Sequence, residues 1–309
     1  MNKIGYRMMV PLLLGFAAWL SHGPAYAQPL AATGKVGTLK VERHGNHGQP
    51  VILIPGLEGG PWVWERTIRA LQNDHVVYAV TLAGFDGVPP PAGGGNLFDQ
   101  ADASLKQLIE RRKIDKPVLV GHSLGGTLAL RFAGEHPQMI SGVVAVDGLP
   151  VFPGMEWMGV DQRKAMAARI QQQVAALSPG QFAAQSLAYM QNVGVIDPQL
   201  AARYAPMNAR SDIKASAQYM AEDMAADYRP LLKNANVPIL EISPYNAPDF
   251  SQPPKAMSEA QKTAYYEGLL AQAPQAKVVS ISPSRHFVML DQPTEFQQTL
   301  DGFLAALGD

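Results

Sequence analysis

The chain has no cysteine among its 309 residues. That excludes disulfides, thiol catalysis, cysteine-held metals and a lipid-modified N-terminal cysteine. Charge is sparse as well: 17% of residues are charged, and 25 basic side chains stand against 26 acidic ones. No basic excess exists to hold nucleic acid or an anionic membrane surface. Gly56–Gly60 lacks the Lys-Ser/Thr of a phosphate-binding loop, and no G-x-G-x-x-G opens a helix after a strand. No His/Asp/Glu group has metal-ligand spacing. The expectation is a protein without cofactor, metal or nucleic-acid partner. Internal repeats and low-complexity tails are also missing.

Long apolar runs are scarce. One runs from Met8 to Leu20, preceded by Lys3 and Arg7 and followed by Ala25-Tyr26-Ala27. A basic start, a short apolar centre and an A-x-A site predict a secretory signal peptide over 1–27, cleaved after Ala27. The run is too short, and its flank too polar, for a membrane span. The mature chain, 28–309, is then periplasmic or secreted, with no stable membrane anchor. Loss of Lys3 and Arg7 leaves 23 basic against 26 acidic residues, a net charge of about −3. With 47% hydrophobic residues, the chain has material for a sizeable core.

What is present alternates. Lys35–Glu42 reads as a strand, Pro50–Ile54 as a strand buried on both faces, Pro61–Gln72 as a helix, and Asp74–Val80 as a strand. Phe98–Arg112 reads as an amphipathic helix, and Gly142–Val146 as a further strand. Strand and helix in regular alternation predict an α/β fold with a mostly parallel sheet flanked by helices. From Pro150 to about Asp227 the strands stop. Asp161–Leu177, Pro179–Asn192 and Asp212–Asp227 read as helices. Met155, Met158, Met166, Met190, Met207, Met220 and Met224 fall here, either as plain packing or as an adaptable apolar underside of a cap. Alternation resumes with strand Val237–Ile242, helix Ser258–Gln272, strand Lys277–Ile281 and helix Pro293–Leu307. The predicted organisation is a core of 28–149 and 230–309 with a helical cap or lid over 150–229.

The stretch Gly121-His122-Ser123-Leu124-Gly125-Gly126 sits between an apolar strand, Lys116–Val120, and a helix beginning at Thr127. A G-x-S-x-G on a strand-to-helix turn is the context of a nucleophile elbow. The turn strains the serine backbone, and side chains at 121 and 125 would collide with neighbouring backbone. Ser123 then stands at the carboxyl end of the sheet, where ligands of such sheets bind. The N–H of Leu124 lies at a helix N-terminus, suited to an oxyanion. The N–H of Leu57, in the loop Pro55–Gly60, is the expected second donor. Glu58 in that loop reads as a solvated or helix-terminal charge.

A serine needs a base. Of seven histidines, His22 lies in the expected leader, and His44 and His47 in an early turn. His75 opens a strand, His136 ends a helix, and His122 points away from Ser123. His286 follows the carboxyl end of a late strand, the required face. A carboxylate should orient it. Asp249, in the loop after strand Val237–Ile242, is the first candidate for that acid, and Asp147, at the end of the preceding strand, is the alternative. Asn246 can orient but not neutralise.

Together these residues resemble the α/β-hydrolase superfamily. The resemblance rests on Pro55-Gly56-Leu57 (usually His-Gly-x), the Gly121–Gly126 elbow, the insertion after Asp147, and Arg285-His286-Phe287 followed by Asp291-Gln292-Pro293. It covers nearly all of 35–309, and the order Ser…Asp…His is the family's. Pro55 replaces the usual His, and the acid loop lacks the common Gly-x-x-Asp. The resemblance implies an esterase-like serine hydrolase acting on a small, largely apolar ester through an acyl-enzyme. Serine in place of aspartate at the elbow argues against epoxide hydrolase or dehalogenase chemistry. Carbon–carbon bond hydrolase, lactonase, amidase and cofactor-free perhydrolase share the same triad. A non-catalytic binding protein on the same scaffold is the remaining alternative.

Overall fold

The computed structural model describes residues 32–254 and 256–308; the expected signal peptide lies outside them. The described chain runs β1 (Ala32–Val36), β2 (Leu39–His44), β3 (Pro50–Ile54), α1 (Glu65–Leu71), β4 (Val76–Thr81), α2 (Leu97–Arg112), β5 (Val118–His122), α3 (Leu124–Glu135) and β6 (Gly142–Val146). Then come α4 (Val160–Ala175), α5 (Pro179–Tyr189), α6 (Pro198–Asn208) and α7 (Ile213–Ala225). The chain ends with β7 (Ile239–Pro244), α8 (Glu259–Leu269), β8 (Ala276–Ile281), α9 (Val288–Asp291) and α10 (Pro293–Gly308). The strands form one eight-stranded sheet in the order β1-β2-β4-β3-β5-β6-β7-β8. β1 and β2 pair antiparallel, and β3 to β8 run parallel.

The apolar runs of β3, β5 and β6 reflect burial on both faces. Successive residues point to opposite sides. Ile52, Ile54 and Leu119 pack with Leu105 and Leu108 of α2 and Leu128 and Phe132 of α3. Val51, Leu53 and Val120 pack with Ile68 of α1 and Phe296, Leu300 and Leu304 of α10. Helices thus cover both faces of the sheet, and the strand ends are left for the site. Local signals set the helix starts. Asn96 accepts the Asp99 N–H (2.7 Å) before α2, Ser178 and Gln181 form a capping box on α5, and Asp212 accepts the Ala215 N–H (2.8 Å) on α7.

The insertion between β6 and β7 leaves and re-enters the core side by side. The Tyr228 N–H donates to the Pro150 carbonyl (2.7 Å), and Val151 bridges Asp227. Its four helices pack within the same compact unit as the core.

Three expectations need correction. Lys35–Glu42 is not one strand but spans a hairpin, because Gly37-Thr38 reverses the chain between β1 and β2. The insertion holds a fourth helix, α6, which carries an internal Pro206. The expected helix Pro179–Asn192 ends at Tyr189 and passes into a wide π-type turn, Met190–Gly194. Of the seven methionines, Met155, Met158, Met220 and Met224 join the cluster between α4 and α7, Met190 and Met207 pack into the core beside Trp62, and Met166 is exposed; only Met220 among them lines the large cavity described below.

The glycine positions make a paired test. A Cβ at Gly125 would sit 2.5 Å from both the Ile54 and Pro55 carbonyl oxygens, whereas one at Gly302, inside α10, would meet nothing within 4 Å. Gly125→Ala should lower thermal stability by several degrees or abolish soluble expression. Gly302→Ala should raise stability by about 1 kcal/mol through helix propensity. Thermal melts of the two variants check both.

Candidate active site

Ser123 joins β5 to α3 with φ +53° and ψ −124°, a conformation that a non-glycine residue occupies only under constraint. Its N–H donates to the Val146 carbonyl (2.9 Å), which locks the turn against β6. Close backbone approach dictates the flanking residues. A Cβ at Gly121 would lie 2.1 Å from the Gly125 carbonyl oxygen. A Cβ at Gly56 would lie 3.0 Å from the Ser123 Cβ, so the loop carrying Leu57 is pressed onto the elbow. Leu57, Ser123 and Leu124 line one cavity. As the first residue of α3, Leu124 has an N–H without an intrahelical acceptor.

His286 lines the same cavity, in the loop between β8 and α9. Its Nδ1 lies 2.5 Å from Asp147 Oδ2. The other Asp147 oxygen accepts the Tyr266 hydroxyl of α8. Asp147 follows β6 directly, with φ +49°, and its N–H donates to the Ile242 carbonyl (3.0 Å). Burial alone would raise its carboxyl pKa. His286, by charge and hydrogen bond, reverses this, helped by Lys262 and Tyr266, and holds Asp147 well below the usual carboxylate range. Lys262 Nζ donates to the Pro244 carbonyl and packs between the Phe250 and Tyr266 rings, 5.1 Å from each centroid. Beneath, the buried Glu241 of β7 accepts the Gly148 N–H at 3.3 Å. Burial, and then the Asp147 charge, pushes its pKa well up.

The structure therefore brings Asp147, not Asp249, to His286. Asp249 lies in a short 3₁₀ turn, Ala247–Phe250. Both its oxygens accept from Arg285, at 2.7 Å each, and Asn246 Nδ2 donates to one of them at 2.8 Å. Asn246 thus serves Asp249 rather than His286. The adjacent Arg285 side chain also donates from Nη1 to the Gln191 (2.8 Å) and Val195 (3.2 Å) carbonyls, while its N–H donates to Asp291 (2.8 Å). The π-type turn completes this anchorage, since the His286 and Phe287 N–H groups donate to the Val193 (3.2 Å) and Gly194 (2.9 Å) carbonyls. The insertion thereby grips the histidine loop.

His122 turns its ring to a partner that the sequence does not reveal. Its ring is 1% exposed and packs on His286 and Phe287, 4.5 Å centroid to centroid in each case. Nε2 lies 3.0 Å from the His286 carbonyl oxygen, which assigns the proton to Nε2. Burial, then the nearby His286 charge, pushes its pKa well down, so it is a neutral donor. Tyr266 and Lys262 are likewise invisible in sequence, because α8 meets Asp147 only through the fold.

The cavity measures about 660 Å³ and reaches from the elbow to the insertion. Leu149, Phe152, Phe182, Met220, Phe250 and Met257 give it apolar walls, among which Glu58 and Asp223 also stand. Glu58 is thus a cavity residue and not a solvated helix-terminal charge. A separate cavity of about 120 Å³ beside Trp62, Arg66 and Arg203 contains none of the residues around Ser123.

Known proteins share this architecture. The mouse 1-acylglycerol-3-phosphate O-acyltransferase ABHD5 is 28% identical over 150 residues, 47% of this chain and 42% of that protein, so the chain spans under half of that relative's length. The pimeloyl-[acyl-carrier protein] methyl ester esterase of Vibrio cholerae is 28% identical over 229 residues, 71% of this chain and 83% of the relative. A thermophilic esterase from Thermogutta terrifontis superposes with a TM-score of 0.70 at 19% identity, covering 90% of this chain and 99% of the esterase. The model of the alpha/beta hydrolase family matches residues 51–299. With its elbow, parallel sheet and inserted helices, the chain belongs to the alpha/beta hydrolase family.

Proposed function

We propose that the protein is a secreted or periplasmic serine hydrolase that cleaves an ester of a small, largely apolar acid through a Ser123–His286–Asp147 triad. The observation that carries this reading is the 2.5 Å Asp147–His286 pair sharing one apolar-walled cavity with the strained Ser123. The esterase activity named for the Vibrio cholerae relative supports the same bond class.

The chemistry follows from the residues. His286 takes the Ser123 hydroxyl proton as Oγ attacks the carbonyl carbon. The Leu57 and Leu124 N–H groups stabilise the resulting oxyanion. Asp147 remains ionised, holds the imidazole by Nδ1 and balances the imidazolium. The tetrahedral centre collapses, and His286 gives its proton to the departing alkoxide oxygen. Water, activated by His286, then attacks the acyl-enzyme; the acid leaves and Ser123 regains its proton.

Two experiments test this reading. Hydrolysis of 4-nitrophenyl esters of increasing acyl length should peak at short to medium chains that fit 660 Å³. It should fall by about 10⁴-fold or more in Ser123→Ala. No turnover by the wild type would contradict the ester reading. In the same assay Asp147→Asn should lower kcat by about 10³- to 10⁴-fold, because the imidazole loses its orientation and counter-charge. Asp249→Asn should stay within about tenfold of wild type, since it loosens the Arg285 anchor and leaves the Asp147–His286 pair in place. The reverse ranking would restore Asp249 as the acid.

A further inference from the structure

One end of the cavity is polar, and the hydrolytic steps do not use it. Glu58, directly after Leu57, faces the cavity from a left-handed backbone conformation (φ +62°). Ser211 Oγ holds it there by donating to its carbonyl at 3.2 Å. Ser186 of α5 and Asn208 of α6 line the same cavity, 3% and 2% exposed, and neither Ser186 Oγ nor Asn208 Oδ1 has a hydrogen-bond partner. Ser216 of α7, 1% exposed, has an equally unpartnered hydroxyl. The Ser186 and Ser216 hydroxyls lie near enough to favour the Glu58 carboxylate without closing a hydrogen bond of normal length. Buried polar atoms rarely stay unpaired without a purpose.

The same face of α7 continues this end of the cavity. Positions 216, 220 and 223 follow helical spacing, and Met220 and Asp223 both line the cavity. Ser216 and Asp223 are about 10 Å apart along the helix. Among the described residues the basic side chains lining the cavity are His122, His286 and Lys262. The first is neutral and bonded, the second is held by Asp147, and the third donates to Pro244. Tyr189, a further titratable group of the lining, has its pKa raised by burial first and then by the Asp147 and Glu58 charges. Glu58 and Asp223 therefore have no cationic partner of their own there. Burial raises both carboxyls to about 7.

We propose that Glu58, Ser186 and Asn208, with Asp223 farther along α7, form a cation subsite that binds a protonated amine, so that the preferred substrates are esters carrying an ammonium group. An ammonium supplies three donors and a positive charge to a pocket rich in acceptors and negative charge. A hydroxyl supplies one donor and no charge. The apolar walls take the rest of the substrate.

The attachment of the amine to an ester rests on the hydrolase reading, but its binding does not, so calorimetry of the unreacting full chain separates the two. Benzylammonium and benzyl alcohol have the same shape and differ in charge. At pH 8, with Glu58 ionised, benzylammonium should bind at least about tenfold tighter than the alcohol. The preference should fade toward pH 5.5 as the carboxyls protonate. At pH 7 ammonium binding should release protons, seen as a heat that depends on the buffer, because a bound cation lowers the carboxyl pKa. Glu58→Gln should remove most of the preference, and Asp223→Asn a smaller part. Equal affinities at pH 8 overturn the proposal. So does a preference that both variants retain. Should the variants fail to fold, the pH dependence and proton release of the wild type decide alone, and loss of either overturns it. Absence of ester turnover would sink the hydrolase reading and leave this result standing.

Discussion

The closest backbone packing in the site is the constraint on which the rest depends. Gly121 and Gly125 face each other across the Ser123 turn, and Gly125 also faces the carbonyls at the end of β3. There is no room for a Cβ at either position. The contact forces Ser123 into its strained conformation and aligns the N-terminus of α3. It also draws the Leu57 loop against Ser123. Each of these effects is local, yet together they bring Leu57, Ser123 and Leu124 to the wall of one cavity. The sheet on either side holds them rigid, because its strands are packed by helices on both faces. Strain in a functional turn persists only where the surroundings over-determine it, as they do here.

The histidine loop is secured by different means. His122 fixes the His286 carbonyl from below, Asp147 holds the ring, and the π-type turn of the insertion takes two backbone N–H groups. Arg285 ties Asp249 to the carbonyls of that turn. The insertion is therefore more than a roof. It roofs the cavity through Phe182 and Met220 and also anchors the loop carrying His286. The roof of the cavity and the loop carrying His286 are joined through one short segment, Met190–Val195.

Much of this was legible in the sequence, because the signals are local. The elbow declares itself by two glycines around a serine between an apolar strand and a helix. His286 is marked by its position after a late strand. The alternating runs lead to the mostly parallel sheet. What the sequence conceals depends on neighbours across the fold. Asp147 and Asp249 both follow strands, and only the placement of β6 beside β5 decides which reaches His286. Asp249 is drawn away by Arg285, thirty-six residues on. Tyr266, Lys262 and His122 act through contacts that no periodicity reveals. α6 was hidden by Pro206, and Glu58 looked like a solvated charge because nothing nearby in sequence shows α5, α6 and α7 closing over it.

The central claim is that Ser123 is a nucleophile activated by His286 and Asp147. The most direct measurement is intact-mass spectrometry after exposure to a fluorophosphonate, which reports activation without any assumption about the substrate. The account predicts one stoichiometric adduct, located on Ser123, forming rapidly in the wild type, far more slowly in Asp147→Asn, and not at all in Ser123→Ala. An unmodified wild-type chain, or an adduct that persists in Ser123→Ala, would contradict it.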